Sequence, residues 1–177
     1  MIIFETLFII AIGCLFHFVY EWSHENKLVG WFASVNESVW EHIKLALVPS
    51  FLFMLIDFGA FGDNANYWFG KFIMLIMMMV LIPVLFYTGR AIAKRSILWL
   101  DIMIFAVSII YAVLIFDNIL RVAPLGLEVF GIIGVIAVFI MVSLFTFFPP
   151  KWFIFKDPQN GTYGFGEKEK LVRKHKK

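Results

Sequence analysis

Apolar residues run along this chain in five long blocks divided by short polar stretches, and each block is long enough to form one membrane-crossing helix. The blocks cover roughly Ile3–Trp22, Val35–Phe58, Trp68–Thr88, Ile97–Phe116 and Leu125–Phe148. A spanning helix needs about 20 mostly apolar residues. The third and fifth blocks are free of charge between Phe72 and Gly89 and between Val129 and Pro150, whereas the first, second and fourth hold embedded polar groups. Pro83 is expected to kink the third helix, because proline lacks an N–H and crowds the preceding turn. Phe148-Pro149-Pro150 ends the fifth, and Lys156–Gly164 beyond it is dense in turn formers, with Asp157-Pro158 and Asn160-Gly161 the strongest. The pattern predicts an all-α integral membrane domain over 1–150, a bundle of about five transmembrane helices, followed by a turn-rich basic tail over 151–177.

Composition agrees. Apolar residues make up 62% of the chain, charged residues 16%, and the mean hydropathy is +0.88. A soluble domain is nearer half apolar and a quarter charged. The single cysteine, Cys14, excludes an internal disulfide framework and a multi-cysteine metal site. Ala11-Ile12-Gly13-Cys14 loosely suggests a lipoprotein cleavage site, but Glu5 rather than a basic residue precedes it and the apolar run continues, so a retained helix is expected.

Charge sets an expected orientation. Arg90, Lys94 and Arg95 crowd the link between the third and fourth spans, and the tail from Lys151 onward holds eight of the fifteen Lys and Arg residues. Basic residues favour the cytoplasmic side, so the N-terminus is expected outside and the C-terminus in the cytoplasm, in a multi-pass protein of the cell membrane. Lys71 and Arg121 then count as outer charges. The run Glu167–Lys177 reads as a segment facing anionic lipid headgroups; no folded module accompanies it, which argues against nucleic-acid binding.

The informative polar residues lie between His17 and Lys44, which hold three of the four histidines. His17, Glu21 and His24 share one face of the first helix, and Glu37, Glu41 and Lys44 share one face of the second, by their i, i+4, i+7 spacing. The two spans run antiparallel across a short link, so His17 is expected to meet Glu41 and His42 at similar depth. The candidate cluster is His17, Glu21, Asn36, Glu37, Glu41, His42 and Lys44, with Asp101 approaching it or pairing with Lys94 or Arg95. Ionisable groups in a bilayer face a partner or a wet cavity and mark function by default. Structural roles compete: Ser34-Val35-Asn36-Glu37 fits a helix capping box, Glu41 and Lys44 can neutralise each other, and Trp22, Trp31 and Trp40 suit an interfacial belt. His17, Glu21, Glu41 and His42 together suit a divalent metal such as zinc, iron or manganese; a proton-sharing cluster without metal is the other chemistry they support.

The strings His17-Phe18-Val19-Tyr20-Glu21-Trp22 and Asn36-Glu37-Ser38-Val39-Trp40-Glu41-His42-Ile43-Lys44, with Phe155–Gly164 in the tail, resemble a family of small bacterial multi-pass membrane proteins of unknown function. The resemblance implies membrane location and a shared polar cluster, and brings no activity. No His-Glu-x-x-His, Gly-x-Ser-x-Gly or phosphate loop occurs. Three functions stay open: a small transporter-like, proton-coupled or partner subunit, for which homo-oligomers are expected; a metal-dependent intramembrane enzyme acting on a lipid or lipid-linked substrate; and a purely structural membrane protein.

Overall fold

The computed structural model of the protein describes residues 2–95 and 97–165. Within them the chain is helical: α1 (Ile2–Trp22), the short α2 (Lys27–Gly30), α3 (Val39–Phe61), α4 (Tyr67–Ala93), α5 (Leu98–Arg121) and α6 (Glu128–Phe147), then a 3-10 turn over Phe153–Phe155. Five of these are long and apolar enough to cross a membrane, and α2 is the extra element, a single turn inside the first link.

Four long helices close a ring in which α1 packs on α3 and α5, and α4 packs on α3 and α5; α6 lies against the outer side of α4. Ile9, Leu47, Met74, Leu75, Met78, Ile109 and Val113 fill the middle and are fully buried. The lipid-facing side is as apolar as the inside, with Leu7, Leu55, Ile102, Ile133 and Phe139 exposed. That inversion is the bilayer's signature, since lipid offers no hydrophobic drive and packing alone holds helices together.

Small residues allow close crossings at two places. A methyl group at Gly13 of α1 would lie 2.5 Å from the Leu45 carbonyl oxygen of α3. Pro49, inside α3, has no N–H to return to the carbonyl four residues earlier, so the carbonyl it frees is that of Leu45. Only glycine lets α1 approach that exposed oxygen. On the far side, a Cβ at Gly131 of α6 would overlap the backbone of Trp68 and Phe69 in α4.

The second span begins four residues later than expected. The capping box at Ser34–Glu37 does not form; Ser38 is the N-cap and accepts from Glu41 N at 3.4 Å. Asn36 has already turned the chain, its Oδ1 accepting from Ser38 N and its carbonyl from Ser34 Oγ, so helix cannot start earlier. Helix α4 runs on through Pro83 to Ala93.

Asn66 ties one end of the bundle together. Its buried amide donates to the carbonyls of Ile119, Val122 and Ala123, and its Oδ1 accepts from Leu125 N. These are the orphan carbonyls that end α5 and the loop that follows, groups with no partner of their own. Asn66→Ala is expected to cost about 2 kcal/mol through unsatisfied buried groups, read as a lower thermal midpoint of the purified protein.

The first part of the expected tail is packed on the bundle. The Phe155 ring lies tilted against Trp40 with centroids 4.9 Å apart, and Phe165 covers Tyr20 and Phe147. Between them Asp157 accepts from Gln159 N and Asn160 Nδ2, and Gly161 takes φ +74°, a left-handed turn suited to glycine. The basic run Glu167–Lys177 lies outside the described residues.

Candidate functional site

Where α1 and α3 cross at Gly13 and Leu45, the next turn of each helix brings His17 opposite His42. The two helices run antiparallel, so four residues forward on α1 matches three back on α3. The rings lie 5.5 Å apart at centroids. Glu37, held out ahead of the Ser38 cap, reaches between them: its Oε2 is 3.7 Å from His17 Nε2 and 3.8 Å from His42 Nε2. One ligand atom from each of the three lies within 4.8 Å of the others. Their side chains are 31%, 37% and 35% exposed, so the site opens at one end of the bundle rather than deep in it.

The ring of His42 is oriented. Its Nδ1 is 2.9 Å from the Ser38 carbonyl oxygen, which can only accept, so Nδ1 carries a proton. That leaves Nε2 toward Glu37 as the atom that gains or lacks the second one. In neutral His42 a lone pair and a carboxylate face each other across 3.8 Å. A proton on Nε2 or a metal ion between them turns this contact into an attraction. Donor atoms around one zinc ion at about 2.0–2.2 Å stand roughly 3–4 Å apart, close to the spacing found here. Metal-bound histidines commonly have the other ring nitrogen fixed by a carbonyl in this way.

The other members of the candidate cluster fall elsewhere. Glu41 turns away from the histidines. Its Oε2 pairs with Lys44 Nζ at 2.6 Å and accepts from Val35 N, while Lys44 also donates to the Gly30 carbonyl and lies 3.5 Å from Thr146 Oγ1. This buried pair pins α2, the link and α6 to α3. Glu21 is exposed at the end of α1 and is not among the three converging groups. Asn36 shapes the turn before α3. Asp101 pairs with Arg90 at 2.9 Å, not with Lys94 or Arg95. Trp40 leaves the expected belt for the core, whereas Trp22 stays exposed and Trp31 donates from Nε1 to Ser143 Oγ.

A second polar cluster lies at the opposite end, where the sequence reading gathered nothing. Lys71 of α4 is fully buried, 2.6 Å from Glu5 Oε1 of α1 and 2.5 Å from Asp57 Oδ2 of α3. Tyr67 Oη donates to Asp57 Oδ1 at 2.7 Å, and the ammonium sits 3.9 Å from the Phe116 ring centroid. Lys71, counted from sequence as an outer charge, is therefore an interior one. The available signal was sign and depth: one basic and two acidic residues stand about one turn inside the same end of three different spans.

The fold and its clusters define a helical multi-pass membrane protein with ionisable sites at both ends of the bundle. The chain belongs to DUF6512, a family of unknown function, which it matches over residues 1–165. Neither the curated proteins nor the solved structures contain a match to it.

Proposed function

We propose that the protein binds a divalent transition metal through His17, Glu37 and His42, and uses it at the cytoplasmic membrane face on a lipid or lipid-linked substrate. The observation that carries this reading is the His42 lone pair turned by Ser38 toward Glu37, with His17 completing the set. Two histidines and one carboxylate suit zinc, iron or manganese and leave coordination positions open. An ion held there would supply Lewis-acid chemistry, able to polarise a substrate oxygen or activate water. The apolar neighbours of the site, Phe18 and the exposed Trp22, suit an amphiphilic substrate. The basic residues that flank this end, Lys27, Arg90, Lys94 and Arg95, support the cytoplasmic side.

A transporter-like path would have to join this end to the other. Glu5 and His17 stand about 18 Å apart along α1 at 1.5 Å per residue, and buried Ile9, Leu47, Met74, Met78 and Ile109 fill that interval. The packing therefore favours chemistry confined to one end.

Metal analysis of protein purified without chelators tests the proposal. Wild type should hold close to one zinc, iron or manganese ion. His17→Gln, Glu37→Gln and His42→Gln should each lower occupancy at least tenfold while the protein still folds. Glu21→Gln should leave occupancy unchanged. Wild-type protein that carries no such metal and takes none up when supplied would overturn the reading.

A further inference from the structure

The remaining ionisable groups point to a second site, independent of the metal. Two carboxylates, Glu5 and Asp57, face one ammonium, Lys71, and all three are fully enclosed. The charged, hydroxyl and ring groups that face them among the described residues come from three further helices. Helix α3 supplies Asp57 and Phe53, α4 supplies Lys71 and Tyr67, and α5 supplies Phe116. Asp117 at that end of α5 is paired with exposed Arg121, and Met1 lies outside the described residues. Among the described residues no second cation faces the cluster. Fully ionised, these three side chains carry one net negative charge in low dielectric, a costly arrangement in a bilayer protein.

The contacts show how each carboxylate is compensated. Asp57 has two partners: Oδ1 receives the Tyr67 hydroxyl, and Oδ2 is ion-paired with the ammonium at 2.5 Å. Glu5 receives a hydrogen bond from Lys71 through Oε1. We propose that Glu5, Asp57 and Lys71 form a proton-binding site, which holds one proton on a carboxyl group in addition to the lysine ammonium. The bound species is a proton, because the enclosed site presents side chains in direct contact and the balance required is a single positive charge. Bound, the proton leaves a neutral cluster of one ammonium, one carboxylate and one carboxylic acid. Asp57 is the better-solvated anion with Tyr67 and Lys71 both beside it, so the acid is Glu5. Release leaves the negative charge sealed among α1, α3 and α4, and so weakens the docking of the first turn of α1. The site thereby links proton occupancy to the position of α1, the helix that also carries His17.

Infrared spectroscopy of the purified protein tests this. Wild type at neutral pH should show the carbonyl band of a protonated carboxylic acid, shifted in deuterium oxide. Glu5→Gln, which imitates the protonated acid, should remove that band and keep the thermal midpoint of wild type. Asp57→Asn should also remove it, because Glu5 then pairs alone with Lys71. The double variant should melt lower than either single one, since Lys71 is then unpaired. A wild-type spectrum without the band would overturn the proposal, and so would a band that survives both single variants. Stabilisation of wild type by sodium, without an acid band, would reassign the site to a metal cation and overturn it equally. None of these readings depends on metal occupancy at His17.

Discussion

Replacing Lys71 by methionine is expected to cost about 3–5 kcal/mol of stability, the range for removing one partner of a buried ion pair. The side chain is nearly isosteric, so packing against Phe53 and Phe116 is kept and the loss isolates charge. Glu5 and Asp57 are then left facing each other in an enclosed site. The deficit should shrink as pH falls, because protonating the carboxyl group that is still charged removes the unpaired charge. Adding Glu5→Gln and Asp57→Asn to Lys71→Met should recover most of the stability, since no charge then remains buried. The check is thermal unfolding followed by tryptophan fluorescence. A single variant that melts with wild type would show that the cluster contributes nothing to the fold.

Gly131→Val is expected to be at least as damaging. Inserting bulk into a packed interior typically costs 1–3 kcal/mol, and that range assumes that neighbouring side chains can move aside. At Gly131 the obstacles are backbone atoms of Trp68 and Phe69, which cannot rotate away, so α6 must leave α4. Gly134→Ala should cost less, because what it meets is the Phe72 ring. Gly59 supplies the control: nothing lies within 4 Å of a Cβ there, and it sits in α3. Gly59→Ala should be neutral or should stabilise by up to about 1 kcal/mol through helix propensity. Yield of monodisperse protein and its melting point report all three. A Gly131→Val protein as stable as wild type would mean that α4 and α6 do not cross where the structure places them.

The positions of the five spans were legible because a bilayer demands long apolar helices and little else does. The start of α3 was misplaced because two Ser-x-x-Glu-like frames overlap, Ser34–Glu37 and Ser38–Glu41. Choosing between them depends on where Asn36 turns the chain, a local hydrogen bond that periodicity does not report. His17 and His42 were legible as a pair, since antiparallel neighbours at matched depth must meet. Glu37 and Glu41 were harder to tell apart. Both are acidic and lie on one nominal face, but that face exists only once the helix has begun, and Glu37 precedes it.

By itself, then, the sequence determined the number of spans, the antiparallel hairpin that faces His17 toward His42, and the turn chemistry of Asp157 and Gly161. Each of these follows from residues near in sequence or from the requirements of lipid. Only the tertiary structure decided that Glu37 joins the histidines while Glu41 is spent on Lys44, that Trp40 is core, and that Glu5, Asp57 and Lys71 meet. Those outcomes depend on helix rotation and on the order of helices around the ring. In a membrane, where both faces of a helix are apolar, hydrophobic patterning carries little information about either; the close approaches at Gly13 and Gly131 supply it instead.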